Sequence, residues 1–419
     1  MIVMKFGGAS VNNSASVKNA VDILKKYQHH NLLVVVSAMG KTTNALEKLL
    51  NACLYDKSSV TEIYGQIRKY HFQIMDELFE PGHRVYTAVE NLFSEVKEKT
   101  AEDLSDNYDF EYDQLISFGE LISSVILNNY LNMCGINSTL TDARELIITD
   151  DHYREARVKW EITEKNISEK LSFLTNNSGQ TVVVQGFIAS DGKYITTLGR
   201  EGSDYTAAIF AYSLNASEMI IWKDVPGLLN ADPKYFPEAQ KLDEISYGEA
   251  IELAYYGATI IHPKTIKPLQ NRNIPLHVKS FMNPDETGSD ICKTERSIET
   301  IPSYIFKKDQ VLLSISPKDF SFIAEDNLHH IFGVFSKLHI KINLMQNSAI
   351  SFSVCFDKDR NKLTILMDAL KDIYQLKYNE NLELITIRHY NQQTIDKVVC
   401  GRQILLEQRS RVTIQLIVK

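Results

Sequence analysis

Apolar residues fall into two alternating regimes along most of this chain. Short apolar runs, Ile2–Lys5, Leu32–Val36, Ser138–Thr141, Thr181–Gln185, Tyr194–Thr197, Met219–Trp222 and Pro275–Lys279, read as strands. Stretches of helical period separate them. Val17, Ala20, Val21, Leu24 and Tyr27 recur at helix spacing, with Ser14 or Ser16 as the cap. The span from Ser58 to Thr100 is amphipathic without a strand signal and predicts a helical hairpin. Glu111–Met133 predicts one long helix, with Leu115, Ile116, Leu121, Ile122, Val125 and Ile126 inward. Strand–helix alternation through about residue 280 predicts an α/β fold, a three-layer αβα sandwich around a mostly parallel sheet.

The pattern changes after Asn283-Pro284-Asp285-Glu286-Thr287-Gly288-Ser289, a turn-rich loop. Leu328, Ile331, Phe332, Phe335 and Leu338 fall at helical spacing, and Leu363, Leu366, Met367, Leu370 and Ile373 repeat the same offsets. Between them Ile350, Phe352, Val354 and Phe356 alternate as a half-buried strand. With Val311–Ile315 and Leu384–Arg388 as outer strands, this reads as a β-α-β-β-α-β ferredoxin-like module of the α+β class. Gln403–Leu406 and Val412–Val418 add strand-like runs. Two regions follow, 1–295 and 303–419, the latter holding one complete module and a shortened second one.

Composition narrows the classes. The chain has 419 residues, 44% apolar and 23% charged, which suits more than one globular domain. A net charge of −8 argues against non-specific nucleic-acid binding. Cys53, Cys134, Cys292, Cys355 and Cys400 are widely spaced, with no Cys-x-x-Cys pair, and read as reduced thiols. No run approaches about 18 apolar residues and no basic-then-apolar leader opens the chain, so a cytoplasmic protein without membrane contact is expected.

Candidate chemistry sits on two glycine turns. Thr197-Leu198-Gly199-Arg200-Glu201-Gly202-Ser203-Asp204 joins a strand to a helix starting near Ser203. Exposed backbone N–H groups and the helix start favour an anion there, and Arg200 adds a planar fork for carboxylate or phosphate. Lys5-Phe6-Gly7-Gly8-Ala9-Ser10 follows the first strand and suits a phosphate. Gly-x-Gly-x-x-Gly is absent. Gly40-Lys41-Thr42 is no P-loop, because Val35 stands where that pattern needs glycine.

Further segments join these turns in a fixed order: Ser37-Ala38 with Thr43-Asn44, Ser117-Phe118-Gly119-Glu120, and Gln185-Gly186-Phe187-Ile188. After the Arg200 turn come Trp222-Lys223-Asp224-Val225-Pro226-Gly227, Asp232-Pro233-Lys234, and Gly257 through His262-Pro263. The ordered set resembles the aspartate kinases of the amino-acid kinase superfamily over nearly the whole length. The resemblance implies transfer of the ATP γ-phosphoryl group to the side-chain carboxylate of L-aspartate. That is the first step toward lysine, threonine, methionine and diaminopimelate. It makes the C-terminal region an ACT regulatory region for an amino-acid effector, and implies a homodimer. Without a homoserine dehydrogenase extension, a monofunctional enzyme is expected.

By this resemblance Lys5 and Asp204 are catalytic, and Ser37, Ala38, Thr43, Glu120, Arg200 and Ser203 bind aspartate. Gly7, Gly8, Ser10, Trp222, Lys223, Asp224, Asp232 and Lys234, together with Lys5, bind ATP. Trp222 has the alternative of a core aromatic at a strand end. Mg2+ is implied as the carrier of ATP, held by phosphates and water rather than by a protein cage. The family pattern usually has threonine at Ala9, tyrosine at Leu229 and lysine at Thr259, leaving Lys223 or Lys264 to supply the missing cation. Asn343 stands where lysine-sensitive relatives carry aspartate, which implies weakened or redirected feedback. Alternatives are a kinase for glutamate, acetylglutamate or carbamate, and a catalytically silent sensor.

Overall fold

The structure is a computed structural model and describes residues 1–176, 179–258, 261–294, 301–319 and 321–419. The chain forms two compact units. The first comprises Met1–Leu228, Lys241–Ile251 and Ile260–Glu295; the second comprises Leu229–Gln240, Glu252–Thr259 and Arg296–Lys419.

The first unit is built on an eight-stranded sheet. Its order is Glu244–Ser246, Ser289–Cys292, Leu276–Ser280, Glu218–Lys223, Ile2–Phe6, Leu32–Val36, Thr181–Gln185, Ser138–Thr141. All neighbours run parallel except Leu276–Ser280 against Ser289–Cys292. Every side chain of Leu32–Val36 is 0% exposed, as a parallel strand covered on both faces requires. Each contributes about 1.5–3 kcal/mol by leaving water. Helices Val60–Leu78 and Arg84–Ala101 form the expected hairpin and bury Ile67, Ile74, Val85, Val89 and Phe93 in the same core.

The expected single helix over 111–133 is two, Tyr108–Ile116 and Phe118–Met133. Between them stands Ser117, whose hydroxyl donates to the Gln114 carbonyl at 3.1 Å.

The second unit holds a six-stranded antiparallel sheet, ordered Ile342–Asn347, Phe352–Asp357, Ser303–Pro317, Tyr374–Arg388, Thr413–Val418, Ile404–Arg409. Its two central strands are long and serve two modules. Leu312–Pro317 pairs with Tyr374–Asn379, while Ser303–Lys307 pairs with Leu384–Arg388; register shifts on either side of Gln310, which meets Leu382, separate the two stretches. The outer strand of the complete module is therefore the start of the Tyr374 strand, not Leu384–Arg388. The latter belongs to the shortened module with helix Gln392–Val399. One continuous strand passes through both modules, so alternation alone gave no mark of where the first ends.

Candidate active site

Parallel strands deliver the site residues to one edge of the sheet, their carboxyl ends. Lys5 is the penultimate residue of Ile2–Phe6, Ser37 and Ala38 follow Leu32–Val36, and Lys223 ends Glu218–Lys223. The Ser37 N–H donates to the Phe6 carbonyl and that of Gly40 to Gly8, which stitches the first two loops together. Gly8 has no substitute there. A Cβ on it would lie 2.7 Å from the Gly40 carbonyl oxygen and 3.0 Å from that of Ala38. Helix Gly202–Ser213 points its first turn at the same place, starting from Glu201 in the left-handed region at φ 54°. The Glu201 carboxylate in turn accepts from the His262 N–H at 2.9 Å.

These elements enclose a cavity of about 810 Å³. At its base the Lys5 ammonium lies 2.6 Å from Asp204 Oδ1, and that of Lys223 lies 3.7 Å from Oδ2. Burial alone pushes the Asp204 carboxyl up; Lys5 and Lys223 outweigh it and hold the group below the usual carboxylate range. Asp204 is thus an anion that aligns two cations.

Glu120 is the opposite case. Its Oε1 accepts from the Ala38 N–H at 3.1 Å, while its Oε2 is buried with no hydrogen-bond partner among the described residues. Burial dominates over the Ala38 bond and the Lys5 charge and raises this carboxyl to about 8. A buried carboxyl that lines a cavity with one oxygen unmatched fits a cationic ligand group. Neighbouring hydroxyls on the same helix fix the loops: Ser123 donates to the Ser37 carbonyl at 2.7 Å.

Lys5, Gly8, Ser37, Ala38, Thr43, Glu120, Arg200, Ser203, Asp204 and Lys223 all line this cavity. Gly7, Ser10, Trp222 and Asp224 do not belong to its wall as described. Trp222 is 1% exposed and stacks on Phe6 at 6.2 Å, so the core alternative holds. Strand alternation is the reason: Lys5 and Lys223 face the cavity, while Phe6 and Trp222 share the other face. Ser10 is buried beneath, its hydroxyl 3.4 Å from the Trp222 carbonyl. Asp232 and Lys234 lie on a segment of the second unit, where Asp232 Oδ1 accepts from the Lys234 N–H at 2.9 Å. Leu229 lies there too. Thr259 lies outside the described residues. Lys264 is exposed in the first turn of helix Pro263–Arg272.

Part of the wall escaped the sequence reading: Asp109, Tyr112, His152, Tyr153, Arg154 and Glu155. The guanidinium of Arg154 lies 4.4 Å over the Tyr112 ring and pairs with Asp109 at 3.2 Å. Behind them Asp113 is fully buried and accepts from Thr197 and Arg154. Asp113 and Glu120 stand on separate helices on either side of Ser117, and no local sequence pattern marks Asp113. Among the described residues no cluster of three or more His, Cys, Asp or Glu is arranged to hold a metal, and no helix is long and apolar enough to cross a membrane.

Comparison with known proteins identifies the family and the fold. Residues 1–280 match the model of the amino acid kinase family. Aspartokinase 2, chloroplastic, of Arabidopsis thaliana is 30% identical over 92% of this chain and 73% of its own length. The lysine-sensitive aspartokinase 3 of Escherichia coli is 29% identical over 92% of this chain and 86% of its own. The chain spans only 63% of the length of Arabidopsis aspartokinase 1, chloroplastic, to which it is 31% identical. Among solved structures, E. coli aspartokinase III in complex with aspartate and ADP superposes with a TM-score of 0.83 at 26% identity, covering 100% of this chain and 96% of that one. The complex of the same enzyme with lysine and aspartate gives 0.82 at 27%, covering 100% and 95%. With a family match over two thirds of its length and aspartokinases aligned through both units, this chain belongs to the amino acid kinase family, in its aspartokinase branch.

Proposed function

We propose that this chain is an aspartate kinase, transferring the γ-phosphoryl group of ATP to the side-chain carboxylate of L-aspartate to give 4-phospho-L-aspartate and ADP. The observation that carries the reading is Glu120. A buried carboxyl with an unmatched oxygen, in a cavity that also holds Arg200, complements an α-ammonium and an α-carboxylate on one small molecule. The relative solved with aspartate and ADP supports the same pair of ligands.

A substrate carboxylate, with a pKa of about 4, is already ionised at neutral pH and needs no general base. The barrier is the approach of one anion to another, so the work is positioning and charge neutralisation. Lys5 is placed to take the transferring phosphoryl group beside Gly8, and Lys223 to supply a second cation. Asp204 keeps both ammonium groups aligned. Arg200 and Glu120 orient the amino acid, with Ser37, Thr43 and Ser203 around it. Asp204 is engaged by these two lysines; Mg2+ accompanying ATP would be held mainly by phosphate oxygens and water and would add charge neutralisation there. Product then feeds the lysine, threonine, methionine and diaminopimelate routes.

The second unit supports a regulatory role through an amino-acid effector, as the lysine complex of the relative suggests. Its edge strand Ile342–Asn347 carries Met345, 50% exposed, and among the described residues pairs on one side alone, which supports edge-to-edge association in a homodimer. The function is tested by incubating the protein with Mg-ATP, hydroxylamine and aspartate. Aspartyl hydroxamate is the expected product. Hydroxamate from glutamate or acetylglutamate but not from aspartate, or none at all, rejects the reading.

A further inference from the structure

The residue that holds the acceptor side of the cavity together is Asp113. It sits on helix Tyr108–Ile116, is 0% exposed, and lies outside the cavity it serves. Its Oδ2 accepts from the Thr197 N–H at 2.8 Å and from the Arg154 N–H at 3.0 Å; its Oδ1 accepts from the Thr197 hydroxyl at 2.7 Å. One carboxylate therefore joins two stretches of chain far apart in sequence. Thr197 ends the strand Ile195–Thr197, and Leu198, Gly199 and Arg200 follow at once. Arg154 stands at φ 67°, a left-handed conformation that a long side chain adopts only when its surroundings impose it.

The two stretches also touch directly. The Ala156 N–H donates to the Thr197 carbonyl at 3.0 Å. A Cβ on Gly199 would lie 3.0 Å from the Arg154 carbonyl oxygen and 3.1 Å from Glu155 Cγ. Arg200 thus leaves a turn whose near side is fixed by Asp113 and whose far side abuts segment 154–155. Burial raises the Asp113 carboxyl to about 6, against the hydrogen bonds from Arg154 and Thr197 and the Arg154 charge, all of which lower it. A group so costly to keep charged is retained here for its geometry.

We propose that Asp113 is a positioning residue that sets the place of the Arg200 turn, and hence acceptor affinity, through its hydrogen bonds to Thr197 and Arg154. The inference rests on the aspartate kinase reading and adds a residue to it. Asparagine at this position keeps the geometry. Its carbonyl oxygen accepts both backbone N–H groups, and its amide donates to the Thr197 hydroxyl, leaving one N–H unpaired. Alanine removes all three bonds.

The experiment compares D113N, D113A and T197V in steady-state kinetics, varying aspartate and ATP separately, beside thermal melts. Expected is a KM for aspartate within about twofold of wild type in D113N despite a lower melting temperature. In D113A it rises about tenfold or more, with the KM for ATP little changed. T197V, which keeps the backbone bond and loses only the hydroxyl, lies between them and decides the matter if D113A does not fold. An unchanged KM for aspartate in T197V or D113A overturns the proposal, as does an equal rise in both KM values. Wild-type protein inactive on aspartate is a different result, and refutes the function rather than the role of Asp113.

Discussion

Lys5 Nζ stands 2.6 Å from Asp204 Oδ1, and that carboxylate is 3% exposed. A buried ion pair contributes little net stability, but removing one partner leaves the other stranded. Replacement of Lys5 by methionine is expected to reduce kcat by two orders of magnitude or more, as roughly 3–4 kcal/mol of transition-state stabilisation is lost. It also leaves Asp204 with the more distant Lys223 alone, so the melting temperature falls. Steady-state rates and a melt on the same sample check both. Turnover within threefold of wild type in folded K5M would remove Lys5 from the chemistry.

On the proposed reading, Glu120 makes aspartate binding a proton-linked event. Its folded value of about 8 stands well above the ordinary 4.5, so the empty enzyme carries it protonated at neutral pH. An arriving α-ammonium ionises it, releasing close to one proton per aspartate near pH 7 and progressively fewer above about pH 8. Calorimetry in buffers of different ionisation enthalpy reads that number directly. The sign for stability follows: Glu120 favours the fold fully below about pH 4.5, and that contribution is lost as pH rises through 8. E120Q is expected to stabilise the empty protein increasingly over this window. It should raise the KM for aspartate roughly 30-fold, from about 2 kcal/mol of lost charge pairing.

Gly8 tests the close approach of the first two loops. A methyl group at this position meets two backbone carbonyls rather than a movable side chain. G8A must shift the loop, so catalysis is expected to fall at least tenfold while the sheet beneath stays folded. Wild-type kinetics in G8A would show that the loop tolerates displacement and is not a phosphate cradle.

A second pH effect lies on the same sheet. His277 is flanked by Glu218 at 3.1 Å and Asp290 at 2.6 Å. Burial lowers its pKa, but these two carboxylates outweigh it and leave the imidazole above its usual value. The stabilisation is complete below about 6.5 and disappears as pH rises through the folded value. H277Q should therefore destabilise the protein at pH 6 more than at pH 8.5. Equal losses of melting temperature at both would disprove the linkage.

Feedback is the last test. The Asn343 side chain is engaged within its own unit: Oδ1 accepts from Lys307 at 2.8 Å, and Nδ2 donates to Gln310 at 2.9 Å and Asp357 at 3.1 Å. A neutral amide tied in this way pairs poorly with an effector's ammonium group. Inhibition by lysine is expected to be weaker than that of the lysine-sensitive E. coli relative assayed alongside. Equal inhibition of the two would contradict it.

The sequence by itself determined the strands, most helices and the glycine turns, because side-chain period and turn chemistry are local properties. By resemblance of short segments it also pointed to Lys5, Glu120, Arg200 and Asp204, which line one cavity. Tertiary structure alone decided which face of a strand meets the cavity. Trp222 and Lys223 are adjacent in sequence, and the pleat sends one into the core and the other to Asp204. It decided that the helical pattern over 111–133 is divided at Ser117 into two helices. The work of Asp113 was invisible for the same reason: its partners Arg154 and Thr197 are 41 and 84 residues away. No local rule reports a hydrogen bond that exists only once the sheet has brought its ends together.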